Sequence, residues 1–162
     1  MKFYIHHLYL LLSAIALIVC MCTQSMVTFV YEDMTEVLMS NFALRSVQMP
    51  QGGTISSYAS CALGVVLIAS VLTSAFCMFV SLFQNFSLQK RSTIFNCCLL
   101  TGYYIVLLAF VFILRSNTRL VDLNWQICLP LISLILSAMS FYSIRMTEAK
   151  LLARANNFRL RD

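Results

Sequence analysis

Polar and charged positions in this chain fall in narrow bands between long apolar stretches. No Asp, Glu, Lys or Arg occurs between Lys2 and Glu32, or between Arg45 and Lys90. Two further uncharged stretches follow at 93–114 and 125–144. A helix crossing ~30 Å of hydrocarbon needs roughly 20 apolar residues. The pattern therefore predicts four transmembrane helices over 8–30, 57–83, 93–114 and 125–144. An outer-membrane barrel would alternate polar and apolar residues in ~10-residue segments. These runs do not alternate. The expected fold is an all-α membrane protein, four transmembrane helices in an antiparallel bundle.

Composition agrees. Of 162 residues, 60% are hydrophobic and 10% charged, with a mean hydropathy of +0.85. Soluble domains carry about 25% charged residues, so a water-soluble enzyme is excluded. Charge is too scarce for a disordered tail. The net charge of +5 sits at the edges of the apolar runs, a membrane pattern rather than a nucleic-acid one. Eight of the 11 basic residues fall at the N-terminus, in the second loop (Lys90, Arg91) and in the tail. The other three are Arg45, Arg115 and Arg119. By the positive-inside rule both termini are cytoplasmic, and the two third-loop arginines are the discordant feature. Tyr9, Tyr31, Tyr58, Trp125 and Tyr142 stand at the ends of the spans, where amphipathic rings prefer to lie. The first run is too long for a cleaved signal peptide and is read as a retained span.

Helices in lipid pack through small and hydroxylated residues. At 100° per residue, Ser56, Ser60, Gly64, Ser70, Ser74 and Ser81 share an arc of about 120° on the second span. Ser133, Ser137 and Ser140 share about 60° of the fourth. These stripes are read as packing seams, with a polar path for a solute as the competing reading. The conduit is disfavoured because no ionisable residue lies at depth. Tyr103 and Tyr104 lie mid-span, where their hydroxyls need partners that the serines can provide. Pro130 falls in the first turns of the fourth helix, where a missing N–H costs least.

Seven cysteines raise the possibility of a membrane thiol oxidoreductase. That chemistry needs an accessible Cys-x-x-Cys pair near water, and the sequence has none. Metal-ligand spacings are also missing. The cysteines are read as packing residues, and His6 and His7 as interfacial. No catalytic residue, cofactor or metal is expected.

The expected organisation is a transmembrane domain over 1–144 and a cytoplasmic tail over 145–162. The extracytoplasmic loop 31–56 ends on the turn signal Pro50-Gln51-Gly52-Gly53. Its pattern is compatible with either a short hairpin or one amphipathic helix. In the tail, Lys150, Arg154, Asn157 and Arg161 share one helical face, while Leu151, Leu152, Ala155 and Phe158 line another. This C-terminal amphipathic basic helix suits anionic lipids of the inner leaflet or a partner's groove.

The opening Leu8-Tyr9-Leu10-Leu11-Leu12-Ser13-Ala14 and the closing Ile144-Arg145 through Glu148 to Arg159-Leu160-Arg161 resemble a family of small four-helix integral membrane proteins common in Bacteroidota, catalogued as a domain of unknown function. The family's usual Asp-Glu is here Thr147-Glu148, and Asn157-Phe158 precede Arg159. The resemblance implies an inner-membrane home in a Gram-negative cell and transfers no active-site residue. The functional expectation is a non-catalytic inner-membrane protein, in contact with the lipid bilayer, that assembles with another membrane protein or itself. A small transport or channel subunit is the alternative, ahead of a thiol oxidoreductase.

Overall fold

The first apolar run breaks in two. Helix α1 spans Ile5–Met21, 17 residues or about 25 Å, and winds down at Cys22 and Thr23. There Thr23 Oγ1 turns back to donate to the Cys20 carbonyl at 2.7 Å. The run then continues as strand β1, Val27–Tyr31, where Val-Thr-Phe-Val-Tyr supplies the β-branched and aromatic residues that suit a pleated surface. Strands β2 (Thr35–Met39), β3 (Ala43–Gln48) and β4 (Gly53–Ala59) follow. Next come α2 (Ala62–Leu82), α3 (Phe86–Leu114), strand β5 (Thr118–Leu123), a 3-10 turn at Trp125–Ile127 and α4 (Cys128–Arg159). The computed structural model describes residues 5–23, 25–31, 35–48, 53–59, 61–83, 85–115 and 118–159.

The strands form one antiparallel sheet in the order β4-β3-β2-β1-β5. Four come from the first interhelical segment as a meander. The fifth comes from the segment before α4 and lies beside β1, pairing Val27 with Leu123 and Phe29 with Val121. Val27, Phe29 and Met39 are buried, and the registers place Val37, Leu44 and Val121 on their face. That face packs on the helix ends, in one core with Leu17, Cys20, Leu63, Leu67, Leu100, Tyr103 and Leu107.

The all-α expectation is therefore corrected: the chain is mostly helical but carries a five-stranded sheet. The described residues of 31–56 belong mostly to strands of this sheet, in place of a lone hairpin or a helix. Hydropathy hid this because β1 is as apolar as the helix before it, and residues 57–59 of β4 run into α2 without a charge. Helix α3 begins at Phe86, ahead of the expected 93, and α4 runs without a break through 144 into the tail.

Helix α1 packs against α2 and α4, and α3 packs against the same two. Three helical segments, Ala62–Ser81, Phe86–Leu114 and Trp125–Ala153, are long and apolar enough to cross a membrane; α1 is shorter. Leu72, Phe79, Ile105 and Phe112 are 58–78% exposed on the outside of the helices. Hydroxyls and amides lie inside. This inversion of the soluble pattern suits a lipid solvent.

Candidate functional site

Polar side chains form two sets within the fold. The first is a column inside the helices, in the half that holds the start of α1. Ser13, Ser70, Ser74, Gln89, Thr93, Asn96, Ser133, Ser137 and Ser140 are all fully buried. The Ser13 and Ser133 hydroxyls lie 2.6 Å apart, joining α1 to α4. Asn96 Nδ2 donates to Ser74 Oγ at 3.1 Å and to Ser137 Oγ at 3.2 Å, so α3 ties α2 to α4. Ser74 and Ser70 return their own protons to carbonyls one turn back, those of Ser70 and Val66. Ser140 Oγ donates to the His6 carbonyl at 3.4 Å.

Around His6 the column becomes denser. Ser81 Oγ sits 3.1 Å from His6 Nε2 and 3.2 Å from His7 Nε2, one hydroxyl between two imidazoles. His6 is buried against the other helices at the start of α1. Both rings stand ahead of the apolar run that begins at Leu8. Neither atom of the Gln89 amide has a hydrogen-bond partner among the described residues, and Asn96 Oδ1 also has none.

One turn beyond Ser13, Ser70 and Asn96, the fully buried Leu17, Leu67 and Leu100 close the column. Past them lies the second set, where sheet meets helices. Tyr103 Oη is 3.0 Å from Asn41 Oδ1 and 3.0 Å from Met26 Sδ. Asn41 Nδ2 donates to the Cys20 carbonyl at 2.9 Å, and the Asn41 carbonyl accepts the Gly64 N–H at 2.9 Å. One asparagine in the β2–β3 turn thus holds α1, α2 and α3. Tyr104 Oη donates to the Ile127 carbonyl at 2.7 Å. Both tyrosines find partners, but in this junction and not in the serine stripes. Gly64 is buried beneath Phe42: a β-carbon here would lie 2.2 Å from the ring.

The family model described as Domain of unknown function (DUF4293) matches residues 5–156, nearly the whole chain. The chain belongs to the DUF4293 family. No curated protein matches it.

The remaining sequence candidates of this DUF4293 chain are Ser60, Lys150, Arg154 and Arg161. Lys150 is exposed on α4 and the Arg154 backbone continues that helix, while Ser60 and Arg161 lie outside the described residues. Lys90, at the start of α3, pairs with Glu148 on α4. All seven cysteines are free thiols; Cys20 and Cys77 are buried, and Cys22, Cys61, Cys98 and Cys128 are exposed on separate elements. Among the described residues no three His, Cys, Asp or Glu side chains converge.

Sequence reasoning missed Gln89, Asn96 and Asn41. The first two sit at i and i+7 with Thr93 between them, the spacing of one helix face. That face continues through Leu100, Tyr103 and Leu107, all buried. A search restricted to ionisable residues passes over neutral amides, which the same spacing would have found.

Proposed function

We propose that this protein is a non-catalytic inner-membrane assembly component. In this reading the four helices cross the membrane as an antiparallel bundle with both termini in the cytoplasm. The sheet then stands on the extracytoplasmic side and presents its free face to another envelope protein. The observation that carries the reading is the fastening of that sheet: Asn41, Tyr103 and the buried strand face bind it to the helix ends. A sheet held this rigidly is preorganised, so a partner bears little ordering cost.

The registers align Asp122, Thr28, Leu38 and Arg45 in one row of the face turned from the core. Leu120, Val30, Glu36 and Val47 align in the next. Charged and apolar positions interleaved in this way suit a protein surface better than a lipid one. At the other end, Lys150, Arg154 and Arg161 lie against anionic lipid, each contributing ~1 kcal/mol near such a surface.

The test is purification in mild detergent with mass spectrometry of co-eluting proteins. A stoichiometric partner that Arg45→Glu releases supports the reading. A monomer with no partner, unchanged by Arg45→Glu, refutes it. Replacing Lys150, Arg154 and Arg161 by Glu is expected to free the tail from the membrane, read as new protease sensitivity.

One observation favours a transport subunit instead, namely the unpartnered buried amide of Gln89 in a polar column. The Leu17–Leu67–Leu100 layer counters it, because it seals the column from the sheet. Ser70→Cys and Ser74→Cys, made in a background without native thiols, test this: aqueous labelling from either side would favour transport.

A further inference from the structure

Arg115 and Arg119 sit on the side poor in basic residues, where the positive-inside rule leaves them unexplained. Both lie where α3 passes into β5. Arg115 caps the C-terminus of α3, and the Thr118 hydroxyl donates to its carbonyl at 3.1 Å. Strand β5 pairs Val30 with Leu120 but Tyr31 with Thr118, so Arg119 is the extra residue of a β-bulge. Bulges re-aim side chains out of the ladder. The bulge is anchored by Tyr31, whose hydroxyl donates to the Leu114 carbonyl at the end of α3. Both arginines are exposed, and neither has an ion-pair partner among the described residues. Phe112, one turn before Arg115, is 78% exposed.

Arg115 alone has a local explanation, since a cation at a helix C-terminus offsets the dipole. Arg119 has none. Among the described residues, two full positive charges exceed the roughly half negative charge of that helix end, so the patch they make is cationic, and beside it the exposed Phe112 stands at the level where α3 ends. Cationic groups bordered by apolar ones match a lipid with an anionic headgroup and acyl chains.

We infer that Arg115 and Arg119 form a docking site for the phosphate of an anionic phospholipid in the leaflet on the sheet side. The site seats the β1–β5 edge of the sheet on the headgroup layer. It rests on the membrane reading above, and goes beyond it by naming a lipid on the face opposite the basic tail.

The full chain contains a single tryptophan, so Trp125→Phe with Phe112→Trp moves the only indole to the patch. This protein is reconstituted in vesicles of phosphatidylcholine and phosphatidylglycerol, with brominated acyl chains on one lipid at a time. Brominated phosphatidylglycerol is expected to quench more at equal mole fraction. A basic residue near an anionic surface strengthens attraction roughly fivefold, the equivalent of ~1 kcal/mol. Arg115→Gln with Arg119→Gln is expected to abolish the preference, and Lys at both positions to keep it.

Equal quenching by the two lipids in the starting protein overturns the inference, including the case where Glu32 and Asp33, outside the described residues, neutralise the patch. So does a preference that survives the Gln substitutions, or one that free glycerol 3-phosphate removes, since the occupant would then be a soluble anion. Absence of quenching by either brominated lipid overturns the membrane reading as well.

Discussion

Phe42 and Gly64 show how closely the sheet is fitted to the helices. The ring occupies the space a β-carbon would need, so Gly64→Ala must displace it. Overpacking typically costs about 1–3 kcal/mol, and the lower part of that range is expected because Phe42 is partly exposed and can swing outward. Thermal unfolding in detergent measures the loss, and Phe42→Ala in the same chain should recover part of it. Tyr103 and Gln89, both fully buried, should respond in opposite directions. Tyr103→Phe deprives Asn41 Oδ1 of its donor, a loss of about 1–3 kcal/mol for an unsatisfied buried group. Gln89→Met removes an amide that has no partner, and should leave stability unchanged or raise it by about 1 kcal/mol.

Apolar runs identified where helices form, because helices in lipid need little beyond length and hydrophobicity. They misplaced the ends for the same reason. A run from Leu8 to Val30 has no charge to mark the change from helix to strand, yet only α1 up to Met21 is helical. The signal was there in Val27–Tyr31, where all five residues are β-branched or aromatic, but hydropathy rates the valines and phenylalanine no differently from the apolar residues of a helix. Strand β5, with Arg119 and Asp122, was legible only as a polar loop, because its partner β1 lies in another part of the chain. At the far end, α4 continues past the apolar window, and there Lys90 on α3 pairs with Glu148. Both side chains are about 30% exposed, so the pair should contribute only ~0.2–1 kcal/mol. Lys90→Glu should lower the unfolding temperature slightly and the exchanged pair, Lys90→Glu with Glu148→Lys, should restore it. Failure of the exchange to restore it would remove the pair from the account.

Across the whole molecule, the stripes at Ser70, Ser74, Ser133, Ser137 and Ser140 were readable from spacing alone, and the structure buries all five. The junction at Asn41 was not readable, because a turn asparagine acquires its role only when three helices converge on it. Asn41→Ala removes two of those links and should loosen the sheet more than the helices. Limited proteolysis should then cut within 35–59 while the helical content, read by circular dichroism, stays the same. Unaltered cleavage would mean that the strand face alone holds the sheet. The pairing of β1 with β5 also sets an order of events during synthesis. Residue 27 leaves the ribosome long before its partner 123, with two complete helices made in between. Until β5 arrives, the outer edge of β1 has no strand to pair with, and such an edge is an aggregation hazard. A nascent chain stalled before residue 118 should therefore depend on chaperones on the sheet side, and release of that dependence would mark the moment the last loop is delivered.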